Sequence, residues 1–430
     1  MKRTLLKDLV VWKENPNRKP LIIKGVRQCG KTYLLKEFGR SYYEDVAYFN
    51  FEGNTALHSR FDDDLDVLRI ISELGIMRKK VITPKVLIVF DEIQFCNRAL
   101  TSLKYFCENS PEYHIACAGS LLGIALSKPL SFPVGKVDFL TLRPMDFHEF
   151  LLANNEEMLC DYLSSLNLNE KVSELFAKKL ENYLKTYYII GGMPEAVSIW
   201  METKDIDKLE TVQQKILDSY ELDFAKHAPT KDFPKLSAIW SSIPEQLAKE
   251  NSKFIFSQVK KGLRAKDLED ALEWLIGAGL VHKVALIKKP FIPLSAYANQ
   301  TFFKLYLADT GLLRKMAKLP AIAILEKNHM YKEFKGAIAE NYVLNELIGL
   351  YGTSPFYWKS DIAEVDFVIQ NSADIVPIEV KAEKNNRAKS LAQYIKKYEP
   401  RVSIKTSMMN NVEKNNIPLY MLWLLKKYLN

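Results

Sequence analysis

The sequence feature that most constrains this chain is the stretch Gly25-Val26-Arg27-Gln28-Cys29-Gly30-Lys31-Thr32, preceded by the apolar run Leu21-Ile22-Ile23. It satisfies G-x-x-x-x-G-K-[ST] at every fixed position, and its setting is the one the motif requires: a short strand, a glycine loop, then a helix. The helix is expected from Thr32 to about Phe38, with Leu34, Leu35 and Phe38 on one face. Gly25 and Gly30 permit backbone geometry that a side chain would block, so successive N–H groups can turn inward around a phosphate. The positive end of the helix dipole points to the same place. Lys31 is expected to reach the β- and γ-phosphates of a bound nucleotide, with the Thr32 hydroxyl in a Mg²⁺ shell. Residues 25–32 and Tyr33 together form the expected nucleotide-binding segment.

A second motif supports the first. Val86-Leu87-Ile88-Val89-Phe90 is followed by Asp91 and Glu92. Five consecutive apolar residues suggest a parallel strand buried on both faces and ending in two carboxylates. Asp91 is placed to hold Mg²⁺, and Glu92 to orient and activate the attacking water as general base. The pair reads as a Mg²⁺-dependent nucleoside-triphosphate-hydrolysing site.

Further strands are expected at Val46–Phe51 and at Tyr113–Ser120, with helical patterns between, which implies a parallel sheet covered on both sides. Ligands of such sheets bind at the strand C-termini, where Gly25, Asp91 and Ser120 would converge. Ser120 is a candidate sensor of the γ-phosphate or the attacking water, or a helix N-cap before Leu121-Leu122.

At 430 residues and 48% hydrophobic content the chain can bury two to four domain cores. The start Met1-Lys2-Arg3-Thr4-Leu5-Leu6-Lys7-Asp8 interrupts its apolar residues with charge and does not read as a secretory leader. The apolar run Ile417–Leu425 is too short to span a bilayer and reads as a buried closing strand. The cysteines at 29, 96, 107, 117 and 160 form no C-x-x-C pair. A disulfide frame or zinc site is therefore not indicated, and a cytoplasmic, reducing setting is expected. Cys29, inside the loop, reads either as a thiol that fills space or as one made oxidation-sensitive by the loop's positive potential. The net charge of +8 concentrates in residues 229–430, whereas residues 151–228 are acidic. A basic surface of that kind suits nucleic acid, DNA above all, and equally a plain solvated face. No membrane contact is expected.

The loop G-V-R-Q-C-G-K-T, the strand end Phe90-Asp91-Glu92-Ile93-Gln94, Ala118-Gly119-Ser120-Leu121-Leu122 and the run Leu142–Phe150 resemble one family. It is that of prokaryotic AAA-type ATPases carrying a C-terminal domain of uncharacterised function. The segment Tyr188-Ile189-Ile190-Gly191-Gly192-Met193-Pro194-Glu195 is similar too, and the resemblance covers almost the whole chain. It implies ATP hydrolysis by a homo-oligomer whose nucleotide sites lie near subunit interfaces. Family members carry arginine where this chain has Lys136. If that position acts on a neighbour's nucleotide, lysine supplies a point charge without bidentate geometry, and Arg143 is the second candidate for the trans-acting finger.

The resulting expectation is an α/β chain of four parts: a parallel-sheet P-loop core of AAA type at 1–150, a helical lid at 151–228, a winged-helix module at 229–325, and a nuclease-like domain at 326–430. In the lid, Gly191-Gly192 and Pro194 would break and re-aim the chain. The winged helix rests on Phe254–Val259, a helix from Lys266 to Ala278 and a wing strand Leu280–Ala285. On DNA, Lys260, Lys261, Arg264 and Lys266 would meet phosphates, though such modules also serve as packing units.

The last part holds a second constellation. Glu340 falls on a helix expected from Phe334 to Leu350, Asp366 on the alternating run Glu364–Ile369, and Glu379 and Lys381 on Val376–Lys381. Alternation puts Glu379 and Lys381 on one strand face, which Asp366 would share across a hairpin. This arrangement resembles the PD-(D/E)XK nuclease fold, a restriction-endonuclease-like α/β domain. The resemblance implies that Asp366 and Glu379 bind Mg²⁺ while Glu340 and Lys381 complete a phosphodiester-cleaving site. The other reading is a degenerate fold in which Lys381 pairs with Asp366 or Glu379 and the domain binds a protein partner.

Overall fold

The structure is a computed structural model that describes residues 1–119, 133–249, 253–260, 262–325, 332–383, 388–413 and 415–429, the side chains of 332 and 333 excepted. Two compact units result, one of residues 2–143 with 277–279, the other of residues 144–276 and 280–430 with Met1.

The first unit is built on five strands, β1 (Leu21–Lys24), β2 (Asp45–Asn50), β3 (Val86–Asp91), β4 (His114–Ala118) and β5 (Asp138–Thr141), in the order β2-β3-β4-β1-β5. All four pairings are parallel. Every residue of β3 is buried, as its unbroken apolar run requires of a strand covered on both faces. One face of the sheet, with Ile22, Ala47, Phe49, Ile88, Phe90 and Ile115, packs on the helices Val67–Arg78 and Asn97–Asn109. The other face meets the helix Lys31–Tyr42, so closely that a Cβ on Gly39 would lie 2.3 Å from Val46 Cγ2.

The second unit begins with helices: Phe147–Ala153, Glu157–Ser165, Glu174–Ile190, Pro194–Thr203, Ile206–His227 and Phe233–Leu247. Between the third and fourth, Gly191 and Gly192 do more than turn the chain. Gly191 has φ 76°. A Cβ there would lie 2.2 Å from Asp309 Oδ1, and one on Gly192 would lie 2.0 Å from the Met145 carbonyl oxygen. The Gly192 N–H donates to Asp309 Oδ2 at 2.6 Å, and the Met145 N–H donates to the Gly192 carbonyl at 2.7 Å. Asp309 also caps the helix Thr310–Met316 by accepting from the Leu312 N–H at 2.8 Å. The glycine pair is therefore a seat for a buried carboxylate as well as a turn. Gly192→Ala is expected to destabilise the unit by roughly 1–3 kcal/mol through overpacking against backbone, read as a fall of several degrees in its melting temperature.

The helices lead into a seven-stranded mixed sheet: β6 (Val281–Ile287), β7 (Ala298–Leu307), β8 (Phe356–Lys359), β9 (Glu364–Asn371), β10 (Asp374–Val380), β11 (Ile404–Ser407) and β12 (Asn416–Pro418). Their order is β12-β11-β10-β9-β8-β6-β7. Two expectations bear on this sheet. The strand read as a wing is β6, and it pairs antiparallel with β7 and parallel with β8. β6 and β7 thus form an antiparallel hairpin of the kind a wing requires, and through two residue pairs with β8 the same hairpin continues the sheet of the C-terminal part. Phe256–Val259 is a single helical turn. The expected closing strand at 417–425 shrinks to the three residues of β12, followed by a 3₁₀ helix, Leu419–Leu424, and a short α-helix. Pro418 offers no N–H to a sheet ladder and ends the strand.

Candidate functional site

In the first unit the glycine loop connects β1 to the helix Lys31–Tyr42. Gly25 has φ 150°, Gly30 96° and Gln28 63°, so the loop uses the left-handed region at three positions, one of them not glycine. A Cβ on Gly25 would meet the Leu142 carbonyl oxygen at 2.1 Å, a second reason for glycine there. Val26 and Cys29 are buried, and the Cys29 thiol packs 3.5 Å from the Leu142 carbonyl oxygen, as a space-filling residue would. The buried Lys31 ammonium donates to the carbonyls of Gly25 and Val26, each at 2.8 Å. Arg27 is half-buried, Gln28 exposed, and Tyr33 lies exposed on the helix's first turn.

Asp91, at the tip of β3, is 4% exposed. Its Oδ2 accepts from the Thr32 hydroxyl and from the Tyr48 hydroxyl, both at 2.7 Å, and Oδ1 accepts from the Glu92 N–H at 3.1 Å. The two motifs, 59 residues apart, are thus joined by one hydrogen bond. Burial, and then the hydrogen bond to Asp91, push the Tyr48 phenol well above its ordinary pKa, so it remains a donor. Lys36 Nζ lies 3.8 Å from the centre of its ring. Glu92 adopts φ 51°, a strained backbone of the sort found at functional sites, and its Oε2 accepts from Gln94 Nε2 at 2.5 Å. Arg3 braces the loop by donating to the carbonyls of Cys29 at 2.9 Å and Arg143 at 2.5 Å.

Of the proposed finger residues, Lys136 pairs with Glu108 at 2.9 Å and is 41% exposed, while burial lowers the pKa of the half-buried Arg143. Ser120 lies outside the described residues, as does Lys261.

In the second unit, a cavity of about 510 Å³ is lined by Glu340, Asp366, Glu379 and Lys381, the four residues singled out from sequence, together with Lys304 and Glu364. Glu340 comes from the helix Lys332–Tyr351, Asp366 and Glu364 from one face of β9, Glu379 from β10, and Lys381 from just beyond it. Lys381 Nζ pairs with Glu379 Oε1 at 2.6 Å, and Asp366 Oδ2 accepts from the Val380 N–H at 2.7 Å. Burial, reinforced by the charges of Glu340 and Glu379, raises the Asp366 pKa well above the carboxylate range.

The residue that sequence reasoning missed is Lys304 on β7. It is 1% exposed, and its Nζ lies 2.7 Å from Glu364 Oε1 and 3.8 Å from Glu340 Oε2. Two residues along the same strand face, the Tyr306 hydroxyl donates to Glu340 Oε2 at 2.8 Å. Burial opposes the charge of Lys304, but Tyr306, Glu340, Glu364 and Asp366 outweigh it and raise the ammonium's pKa well above normal. Among the described residues no three His, Cys, Asp or Glu side chains gather tightly enough to hold a metal ion. The four expected residues share a cavity in which lysines, Lys304 on Glu364 and Lys381 on Glu379, hold carboxylates that a divalent cation would need.

Residues 17–151 match the AAA domain family. With the strand–loop–helix geometry above, this makes residues 17–151 an AAA-type P-loop ATPase domain and the protein an ATP hydrolase. Residues 181–323 match a domain of unknown function (DUF8612), and residues 335–425 another (DUF4143). No curated protein matches the chain. Among solved structures, the chain is similar to the Walker-type ATPase of Pyrococcus abyssi at 14% identity, TM-score 0.46, covering 74% of this chain and 95% of that one. It is also similar to the ORC2 protein of Aeropyrum pernix in its ADP form, at 14% identity and TM-score 0.32, over 78% and 93% of the two chains. AMPPCP-bound DnaA from Aquifex aeolicus follows at 18% identity and TM-score 0.27, over 62% and 73%. All three fall below the similarity at which a shared overall fold would follow, so the class rests on the AAA domain match. Among the described residues no helix is long and apolar enough to cross a membrane.

Proposed function

We propose that this ATPase is a Mg²⁺-dependent switch, in which hydrolysis at the glycine loop changes how the C-terminal half engages nucleic acid, DNA above all. The observation that carries the reading is the bond from Thr32 to Asp91, which ties the phosphate loop to the acidic strand end. Thr32 and Asp91 offer an oxygen donor set suited to Mg²⁺. The ion, when bound, would neutralise phosphate charge. Backbone N–H groups of residues 25–32 cradle the phosphates, Lys31 reaches the β- and γ-oxygens, and Glu92 takes the proton of the attacking water. Tyr48 and Gln94 are positioning residues, the first fixing the Asp91 carboxylate and the second fixing Glu92. Ser120 is a γ-phosphate sensor, and Lys136 or Arg143 completes the site of a neighbouring subunit in a homo-oligomer. Five free cysteines suit a reducing compartment such as the cytoplasm.

Lys260, Arg264 and Lys266 are exposed around the start of the helix Ala265–Gly277, which supports contact with phosphates. The measurement that tests this reading is ATP turnover with and without duplex DNA across a salt series. Stimulation that fades as salt rises is expected. A flat response would point instead to a protein partner.

A second reading concerns the C-terminal cavity. Its residues resemble a PD-(D/E)XK site, yet a buried lysine stands among the carboxylates. That observation favours a domain of nuclease-like layout that binds without cutting.

A further inference from the structure

We propose that Lys304 is the built-in cation of the C-terminal cavity, holding the place among Glu340, Glu364 and Asp366 that a divalent metal would need and so excluding it. The inference rests on the second reading above and gives it a physical cause. An ammonium 1% exposed is tolerated only where opposite charges repay its desolvation. Lys304 finds that repayment in Glu364 at 2.7 Å and Glu340 at 3.8 Å, with the Tyr357 ring centre at 5.2 Å. It enters from β7, the edge strand of the sheet, and thus from an element outside the helix and hairpin that carry the acids.

A second, independent observation is an acid oxygen in the cavity that neither lysine satisfies. Glu379 is 3% exposed, and its Oε2 has no hydrogen-bond partner among the described residues. Its other oxygen is held by Lys381 at 2.6 Å. A buried carboxylate oxygen without a donor is costly, and the residue carrying it lines the cavity that holds Lys304. Lys304 and Lys359 pair with Glu364 and Lys381 with Glu379, so a divalent ion entering the cluster meets three ammonium groups, of which Lys304 is the buried one. Removing its charge lowers that repulsion.

The test is a Mn²⁺ titration of the full, nucleotide-free chain, with free ion read by its electron paramagnetic resonance signal. Wild type and Asp366→Asn are expected to bind alike, with no ion attributable to the cavity. Lys304→Met, which keeps length and loses charge, is expected to gain one Mn²⁺ per chain, bound at least ten-fold more tightly than any in wild type. The Lys304→Met, Asp366→Asn double variant is expected to lose that ion. Should Lys304→Met fail to fold by circular dichroism, Lys304→Gln, which can still donate to Glu364, is expected to show the same gain. The proposal is overturned if wild type binds an ion that Asp366→Asn removes, or if a folded charge-neutral variant gains none. DNA incubated with wild type and Mn²⁺ separates this from the underlying reading. Cutting that Asp366→Asn abolishes defeats the non-cutting reading itself, whereas Asp366-dependent ion binding without cutting defeats only the role of Lys304.

Discussion

Lys31→Ala is expected to abolish ATP turnover and to reduce nucleotide binding below detection at micromolar protein. The ammonium is anchored on the carbonyls of Gly25 and Val26, inside the loop whose N–H groups would surround the phosphates. It supplies the only formal positive charge that the motif itself places at the β- and γ-oxygens. Alanine removes that charge and also two charge-assisted bonds, each worth about 1.5–3 kcal/mol, that brace the left-handed turns at Gly25 and Gly30. Both losses act in the same direction. Fluorescent-nucleotide titration and phosphate release measure them separately, and circular dichroism shows whether the domain has survived. A folded Lys31→Ala protein that still hydrolyses ATP would remove Lys31 from the mechanism.

Glu92→Gln is expected to leave nucleotide binding within a few-fold of wild type while lowering the turnover number by roughly 10²–10⁴. The amide keeps the size of the side chain but cannot take a proton. The backbone at Glu92 is left-handed, and Gln94 holds its carboxylate at 2.5 Å, so the group is fixed before any substrate arrives. Asp91, one residue earlier, faces Thr32 and Tyr48. The two adjacent acids therefore have different partners, Asp91 the Thr32 and Tyr48 hydroxyls and Glu92 the Gln94 amide, as the proposed division of work requires. A turnover number unchanged in Glu92→Gln would move the base elsewhere. Tight binding combined with lost turnover would also give a trapped form in which DNA and oligomer contacts can be measured.

How much of this was legible in the sequence follows from how local each feature is. The glycine loop could be read because its fold is a matter of backbone: Gly25 and Gly30 adopt positive φ, and six consecutive residues decide where the N–H groups point. β3 could be read because a strand covered on both faces must be apolar at every position. The helix carrying Glu340 and the strands carrying Asp366 and Glu379 likewise announced themselves by periodicity. The wing strand was located as a strand but without its second neighbour, since alternation says that a segment is extended and not which edges it will join. β6 joins β7 and β8, and the latter pairing spans about seventy residues.

The sequence by itself named the candidates for the nucleotide site, one lysine, one hydroxyl and two carboxylates, because all are carried on short contiguous motifs. Tertiary structure alone decided what surrounds them. Tyr48 reaches Asp91 because β2 lies beside β3 in register, and Asp309 fills the seat of Gly191 and Gly192 from more than a hundred residues away. Lys304 is the strongest case. In the sequence it is one lysine among many in a basic half. In the fold it is a buried charge beside Glu364 and Glu340, and whether a lysine is solvated or enclosed depends on partners that no local pattern names.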